Sequence, residues 1–358
     1  MIDKKQIFIK ASLLALPLSL TMLAITVIAF ANYKLNIFVK AAGTNRKDFI
    51  QTLKTGWQQT PVATASHKNL LVLGLDSLTT RGNSAPLTDS MMLISLNLEN
   101  GQITTLPLPR DLWSDEYQTK INALYTYGLD RYPKHPEKFP QEVVSALTSI
   151  PIHHTVVISM STVAQLVDLV GGVEVEVKQS FIDEEFPRTD VDVTTETDPK
   201  KLYETIEFQA GKQLMDGATS LKYLRSRHGN NNQNTDNDRS KRQQAVIQAL
   251  AKKLINAQTL LDTSLAGQLY KYYLENFSQN LSPAELIATA RKLLPVRNNI
   301  SLKNESLSVY PDDPEGIIEH PLQYLYDGQW VYVIRDNAEF KTEIQAKLIN
   351  RINQSEMQ

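Results

Sequence analysis

Residues 69–76 read NLLVLGLD, and they are followed by MMLISLN at 91–97 and QITTLPL at 102–108. The first run is apolar and ends in Gly and Asp, which is typical of a buried strand that opens into a loop. The other two runs also predict strands, and Glu99-Asn100-Gly101 between them predicts a hairpin turn. The predicted fold is therefore built on a sheet that contains these three strands.

Predicted helices alternate with further strands over the remainder of the chain. Helices are predicted at 119–129, 140–149, 161–170, 239–257, 264–277, 283–293 and 339–352, and strands at 155–159, 173–178, 307–310 and 330–334. Strands that alternate with helices indicate an α/β fold, a layered sheet covered on both faces. No internal boundary is visible after His67, so residues 67–358 are predicted to form one domain.

An apolar segment without charged side chains occupies residues 11–31, about the length that crosses a bilayer. We predict that it is a transmembrane signal-anchor, with a cleaved signal peptide as the alternative because Ala29-Phe30-Ala31 resembles a cleavage site. Lysines precede the segment, so the positive-inside rule leaves residues 1–10 as a cytoplasmic tail and the body of the chain outside. Residues 32–66 are predicted to be an extracytoplasmic linker, helical around Arg46 to Trp57.

The composition excludes several classes of protein. The formal net charge is −2, so the chain lacks the basic field that nucleic-acid binders usually show, and no nucleic-acid partner is expected. There is no cysteine, which excludes disulfides, thiolate metal sites and cysteine nucleophiles. The ten residues before the predicted span are too few for a cytoplasmic DNA-binding module.

A basic stretch at 216–244, DGATSLKYLRSRHGNNNQNTDNDRSKRQQ, predicts an anion-binding site. The planar guanidinium group of arginine holds phosphate oxygens bidentately and stays charged at physiological pH. Two basic groups that face each other across an Asn-rich loop predict a clamp for a polyanion. Their members are Lys222, Arg225, Arg227, Arg239, Lys241 and Arg242.

The placement of the arginines depends on two helix boundaries. Arg225 and Arg227 alternate, so they share one side if the helix over GATSLKYL ends just before them. Arg239 and Gln243 are i, i+4 on the next helix and share a face, and Asp236 is placed to orient Arg239. Basic residues at the start of that helix oppose its dipole unless an anion is bound there.

Two carboxylates are candidates for holding a metal ion. Asp76 closes the first predicted strand and Asp89 precedes the second, so both are expected at the sheet end where α/β proteins gather ligands. Proteins commonly hold Mg²⁺ with carboxylates and substrate phosphate oxygens, and oxygen ligands suit Mn²⁺ as well. The alternatives are that Asp76 is a turn residue and Asp89 a local cap.

Seven segments in order resemble the LytR-CpsA-Psr family of membrane-anchored cell-wall enzymes. They are LGLDS (73–77), TDSMMLISLN (88–97), LPRDLW (108–113), KINALYTYG (120–128), LVDLVGGVEVEV (166–177), DGATSLKYLRSRH (216–228) and DNDRSKRQQ (236–244). The resemblance covers about residues 67–258, and 259–358 are expected to be a C-terminal extension of the same catalytic domain.

The resemblance implies a fold and a reaction. The fold is an α/β/α sandwich with a central mixed sheet, in which lipid occupies an apolar tunnel against the sheet. The reaction is phosphotransfer: a glycopolymer moves from a polyprenyl-pyrophosphate carrier to peptidoglycan through a phosphodiester bond, and polyprenyl phosphate is released. The implied partners are the polyprenyl-pyrophosphate-linked glycan, peptidoglycan and the membrane. A polyprenyl-pyrophosphate phosphatase and a non-catalytic carrier-lipid binding or regulatory protein are the alternatives.

The resemblance also implies residue roles. Arg110 matches the family's pyrophosphate arginine, and Asp76 and Asp89 match its ligands for Mg²⁺. The residues expected to carry catalysis are Arg110, Arg225, Arg227 and Arg239. The residues expected to bind substrate are Arg81, Lys120, Asp236 and Gln243.

The chain departs from the family pattern at one position. Many members carry a basic residue two positions before the second aspartate, where this chain has Leu87. Arg81 in the same loop is the candidate substitute. Asp111 serves either as a general base or as the partner of a neighbouring arginine, and the apolar residues at 163–177 either line a lipid tunnel or pack in a core.

Overall fold

The computed structural model describes residues 4–75, 87–188, 191, 196, 198–231, 233–277 and 279–349. Within these ranges, only the backbone is described for residues 4–18, 199–200, 236–237, 240, 257 and 260.

The described chain folds into fourteen strands and twelve α-helices. The strands are β1 (His67–Leu75), β2 (Thr88–Asn97), β3 (Gln102–Leu108), β4 (Trp113–Ser114), β5 (Thr119–Lys120), β6 (His154–Ser159), β7 (Val173–Val177), β8 (Phe181–Pro187), β9 (Tyr203–Phe208), β10 (Gly211–Met215), β11 (Ser301–Asn304), β12 (Val309–Tyr310), β13 (Ile318–Glu319) and β14 (Val333–Ile334). The helices are α1 (Lys4–Ala41), α2 (Arg46–Gln58), α3 (Leu124–Arg131), α4 (Lys138–Thr148), α5 (Met160–Leu169), α6 (Pro199–Leu202), α7 (Gly217–Arg225), α8 (Asp236–Leu254), α9 (Ala257–Leu261), α10 (Thr263–Asn276), α11 (Pro283–Leu293) and α12 (Asn337–Ile349).

The central sheet is mixed, as predicted, with strand order β11-β3-β2-β1-β6. Strands β1, β2 and β3 pair antiparallel, while β6 pairs parallel to β1 and β11 parallel to β3. The predicted hairpin between β2 and β3 is confirmed, and Gly101 adopts a φ of 81° there, a left-handed conformation that glycine adopts without the steric cost of a side chain.

One face of this sheet is sealed by two amphipathic helices. Alternate strand residues, among them Leu71 and Leu93, point into a core that α4 and α12 close. On α12 the residues Phe340, Ile344 and Leu348 recur every fourth position, so a single helical stripe packs onto the sheet. These layers form the first hydrophobic core.

The opposite face is covered less completely. At its β1 end, Lys68 contacts Glu285 of α11, so helices lie on both faces and the predicted α/β/α sandwich is confirmed. Further along the same face Met92 is buried, but seven other apolar side chains are only half-buried. They are Leu70, Val72, Ile94, Leu96, Ile103, Val156 and Ile158.

A second hydrophobic core lies outside the central sheet. It is formed by α5, α7, α8 and two antiparallel pairs, β7 with β10 and β8 with β9. Val167, Val173 and Val175 are buried in it, so core packing accounts for these apolar residues of the 163–177 stretch. The predicted strand at 173–178 is confirmed as β7, which pairs with β10 in a separate sheet.

Two predicted boundaries were wrong for local reasons. The helix predicted at 119–129 begins only at Leu124, because Thr119–Lys120 pair with Trp113–Ser114 in a short hairpin. The helix predicted from Arg239 begins at Asp236, because the Thr235 side chain accepts a hydrogen bond from the backbone N–H of Asp238 and caps it. The strands β8, β9 and β10 were not predicted. Each of them forms by pairing with a strand that is separated from it in the sequence by more than a tight turn, β8 with β9 and β10 with β7.

Helix α1 runs without interruption from Lys4 to Ala41. Within it, Ser19–Ala41 has a mean hydropathy of 1.6 and is long and apolar enough to cross a membrane by length and composition. The end of α1 packs against the body: the ring centroid of Phe38 lies 4.6 Å from that of Phe49 and 5.6 Å from that of Tyr270. The predicted helix at 46–57 is confirmed as α2, and it is docked on the body.

A buried ion pair fastens this docked segment to the sheet. Lys68 of β1 and Glu285 of α11 are both almost fully buried and in direct contact. Glu285 also accepts hydrogen bonds from the side chain of Gln59 (2.6 Å) and the backbone N–H of Val62 (2.7 Å). One carboxylate therefore joins the segment after α2, the first strand and α11.

Removing the negative partner of this pair should destabilise the fold. We expect Glu285→Gln to lower the free energy of unfolding by about 3 kcal/mol, because it leaves the Lys68 ammonium buried without a counter-charge. The measurement is urea unfolding of the full chain in detergent. The matched control is Glu275→Gln, which removes an exposed pair with Lys271 and should change little. Equal effects of the two substitutions would contradict the role given to Glu285.

Candidate functional site: an arginine cluster on Asp89

Three distant segments bring arginines to the end of the sheet where β1 ends and β2 begins. The Arg110 guanidinium donates to one Asp89 carboxylate oxygen at 2.8 Å, and that of Arg227 donates to the other at 2.5 Å. Arg239 donates to the backbone carbonyl of Asp89 at 3.3 Å. Residues separated by up to 150 positions thus meet around one buried carboxylate.

The charges around Asp89 set its protonation. Burial alone would raise the pKa of this carboxyl, but the positive charges of Arg227, Arg239 and Arg110 outweigh burial and hold the pKa below its usual value. Asp89 is therefore ionised throughout the physiological range, and its negative charge keeps the guanidinium groups together.

The turn that presents Arg110 contains a second acid. One Asp111 carboxylate oxygen lies 3.3 Å from Nε of Arg110 and the other 3.1 Å from Nζ of Lys120. Asp111 is buried, so it orients both cations. Asp111 was expected to be either a general base or the partner of a neighbouring arginine, and the distances show the second role. Lys120, expected to bind phosphate, is joined to Asp111 and lies at the edge of the cluster.

A buried acid that the sequence reading missed fixes the segment after α7. Asp183, on β8, is fully buried and accepts a hydrogen bond from the Ser226 hydroxyl at 2.6 Å. The same oxygen accepts the backbone N–H groups of Arg227 and His228, each at 3.2 Å. Asp183 therefore sets the backbone from which Arg227 reaches Asp89. Its only sequence signal is its place as the first of three consecutive acids in the strand FIDEEFP.

Arg242 has a structural role. It is buried, stacks over the Phe181 ring at 5.1 Å, and donates to the backbone carbonyls of Tyr223, Ser226 and Gln233. It thereby holds both ends of the loop that separates the two basic groups. The two lysines of the basic stretch pair with acids: Lys222 with Glu204 at 2.9 Å and Lys241 with Asp238 at 3.4 Å.

Helix α7 ends at the position that the predicted clamp requires, so that Arg225 and Arg227 can share one side. Helix α7 ends at Arg225, and Ser226 has a ψ of 135°, so the backbone is extended between Arg225 and Arg227. Both arginines are half-buried and flank the buried Ser226. Within the described part of the chain, the Arg225 side chain makes no hydrogen bond or ion pair.

The start of α8 differs from the expectation. Its first turn contains Asp236 and Asp238, so acids, which suit the helix dipole, precede Arg239 there. Gln243 shares the Arg239 face and is buried, and its Nε2 finds no hydrogen-bond partner among the described residues. The backbone of Asp236 lies in the first turn, but its side chain is outside the described ones.

The loop with the remaining candidates, Asp76 and Arg81, also lies outside the described residues. The described ranges contain no group of three or more His, Cys, Asp or Glu side chains that could hold a metal. Asp89 still fits a shared cation site: each of its oxygens accepts one guanidinium bond, and a carboxylate oxygen has two lone-pair sites. A hard cation that also takes substrate phosphate oxygens needs few protein ligands.

The fold and the site together define an α/β/α protein with a mixed central sheet and an arginine cluster at one end of that sheet. The chain belongs to the LytR-CpsA-Psr family, whose model, described as the LytR_cpsA_psr family, matches residues 33–342.

Similar proteins agree with this assignment. A relative from Bacillus cereus, named polyisoprenyl-teichoic acid–peptidoglycan teichoic acid transferase TagU, is 23% identical over 289 residues, which cover 79% of each chain. The crystal structure of B. subtilis TagV has a TM-score of 0.54 at 20% identity and covers 80% of this chain and 98% of its own. A structure of TagT bound to LIIa-WTA has a TM-score of 0.50 at 19% identity and covers 81% and 96%. The two structures share the fold.

The depressed pKa of Asp89 predicts how its contribution to stability depends on pH. Its folded pKa lies below the unfolded value of about 3.9, so the stabilisation is complete above about pH 4 and is lost as pH falls through the folded pKa. We therefore expect Asp89→Asn to be less stable than the wild type at pH 7, with the difference shrinking below about pH 4. The measurement is urea unfolding at a series of pH values, with the exposed Asp130→Asn as control. A difference that grows on acidification would contradict this account of Asp89.

Proposed function

We propose that the chain is a phosphotransferase that moves a glycopolymer from a polyprenyl-pyrophosphate carrier to peptidoglycan. The observation that carries the proposal is the meeting of Arg110, Arg227 and Arg239 at Asp89. Family membership and the name of the Bacillus cereus relative as a teichoic acid transferase support a transferase. The structure of TagT bound to LIIa-WTA supports the same class of donor.

The proposed role of the arginines is to bind the pyrophosphate. A guanidinium has five N–H donors, and the bond from Arg227 to Asp89 uses only one of them. Arg227 is partly exposed, so it has access to a ligand. Arg225, two residues earlier on an extended backbone, is the proposed second donor from the same segment, and Gln243 is proposed to add its amide.

The proposed path of the polyprenyl chain follows the half-buried face of the central sheet. β1 is nine residues long, about 30 Å at the rise of a strand. Its first residues lie at the Lys68–Glu285 pair, beside the segment that follows α2. Its last residue lies beside the start of β2 and Asp89. Leu70, Val72 and Ile94 lie between the two ends. A lipid on this face would place its diphosphate at the arginines.

The proposed chemistry is a single displacement at phosphorus. An acceptor hydroxyl oxygen forms a bond to the phosphorus that carries the glycan, and the bond from that phosphorus to the bridging oxygen breaks. Polyprenyl phosphate leaves, and the hydroxyl proton passes to a base or to solvent. Guanidinium groups held in advance stabilise the charge that grows on the leaving phosphate. Because Asp111 is paired with Arg110 and Lys120, we assign it to positioning these cations.

We propose Asp89 and Asp76 as the protein ligands of Mg²⁺, with Mn²⁺ as a possible substitute. When bound, the ion would offset the negative charge of the diphosphate oxygens. The N-terminal helix is proposed to anchor the chain in the cytoplasmic membrane with residues 1–10 inside and the catalytic body outside.

Removing single arginines tests the proposed clamp. We expect Arg110→Ala, Arg225→Ala and Arg227→Ala each to lower the rate of transfer by about 10²–10³-fold, the effect typical of losing one donor to a developing oxyanion. The assay follows glycan from a synthetic polyprenyl-pyrophosphate donor into peptidoglycan. The matched control is Arg297→Ala, whose guanidinium donates only to the carbonyl of Leu294 among the described residues. Undiminished transfer in all three variants would rule out the clamp.

The products of the same assay separate the alternatives. Glycan joined to peptidoglycan through phosphate supports transfer, whereas free phosphorylated glycan identifies a phosphatase. Donor binding without either product identifies a non-catalytic carrier-lipid binder.

The metal assignment has its own test. We expect a chelator to abolish transfer, because it leaves the diphosphate charge without its divalent counter-ion. Added Mg²⁺ should restore transfer. Titration calorimetry of Mg²⁺ with a donor analogue should show binding to the wild type and none to Asp89→Asn. Metal binding that survives Asp89→Asn would exclude Asp89 as a ligand.

A further inference from the structure

Helix α2 carries an apolar stripe that stays largely exposed, although the Arg291 guanidinium of α11 lies 5.9 Å from the ring centroid of Trp57. Ile50, Leu53 and Trp57 are 45%, 41% and 55% exposed. They are spaced i, i+3, i+7, so they lie on one face of the helix. Single exposed apolar residues are common, but a contiguous stripe marks a surface that another apolar phase covers.

A neighbouring face of the same helix is already packed. The Phe49 ring lies against Phe38 of α1, and a side chain at Gly56 would meet Ile287 of α11 at 2.6 Å. The body therefore fixes the rotation of α2 about its axis. With that rotation fixed, the stripe faces outward as part of a rigid surface.

The stripe lies beside the point where the membrane-spanning helix leaves the body. The Arg46 guanidinium at the start of α2 donates to the Asn32 side chain of α1. Asn32 directly follows residues 19–31 of α1, all of which are exposed and mostly apolar. The first turn of α2 is thus held against α1 at the boundary between its exposed apolar part and its packed part.

The polar residues of α2 complement a lipid surface. Arg46, Lys47 and Lys54 are exposed, and Asp48 is the only acid of the helix. An apolar stripe that contains tryptophan, flanked by basic residues, is the composition of helices that lie in the membrane interface and attract anionic headgroups. The position beside the membrane-spanning helix and the excess of basic residues therefore favour a lipid surface over a protein partner.

We propose that α2 is a second membrane contact, which lies in the outer-leaflet interface with Ile50, Leu53 and Trp57 among the upper acyl chains. Such helices bury their apolar face by about 5–10 Å. Two contacts, one spanning and one interfacial, restrain the tilt and rotation of the body relative to the bilayer. The inference rests on the membrane span and is independent of the transfer reaction.

Tryptophan fluorescence of the full chain in lipid nanodiscs tests this contact. The chain has tryptophans at 57, 113 and 330, and lipids brominated on the upper acyl chain quench only rings that enter the bilayer. We expect brominated lipid to reduce the emission of the wild type. Trp57→Phe should lose this reduction, and the matched Trp330→Phe, which removes a ring 53% exposed elsewhere on the body, should retain it.

Charge reversal provides the second arm. We expect Lys47→Glu with Lys54→Glu to weaken the quenching of Trp57 in nanodiscs that contain anionic phospholipid, whereas Lys134→Glu with Lys138→Glu leaves it unchanged. Quenching that is equal in the wild type and Trp57→Phe would overturn the proposal. So would a Trp57 that is shielded from aqueous iodide yet insensitive to brominated lipid, since a protein partner or a second copy of the chain would then cover the stripe.

Discussion

The buried carboxylate of Asp89 is the interaction on which the arrangement of the site depends. Guanidinium groups repel one another, and they stay close only where a fixed negative charge offsets the repulsion. Asp89 supplies this charge at the start of β2, and its oxygens accept one arginine from the turn after β3 and one from the segment after α7. The same attraction between the arginines and the carboxylate lowers the pKa of Asp89.

A frame of buried polar groups holds the arginines in position. Asp183 fixes the backbone around Arg227 from β8, and Arg242 ties the end of α7 to the loop before α8. Each of these groups is buried and satisfied by hydrogen bonds, which is the condition under which polar groups inside a protein rigidify it. The frame lies beside the second hydrophobic core, so the arginine cluster on Asp89 joins that core to the central sheet.

The other end of the sheet is joined to the membrane segment. The Lys68–Glu285 pair connects β1 with α11 and with the residues that follow α2, while Phe38 and Phe49 pack α1 and α2 on Tyr270. The membrane helix therefore continues into the body without a flexible connection in the described residues. This arrangement places the docked helices α2 and α11 and the arginine cluster at opposite ends of β1, with the half-buried sheet face between them.

The sequence by itself determined the central strands β1, β2, β3 and β6, the hairpin at Gly101 and the apolar N-terminal helix, because these follow from local periodicity and turn residues. It also indicated Arg110, Arg227, Arg239 and Asp89 as members of one site. Only the tertiary structure decided that Arg242 is structural, that Asp183 organises the segment after α7, and that β7 pairs outside the central sheet. These outcomes depend on contacts between residues far apart in the chain, and a buried charge finds its partner by packing, which local sequence does not encode.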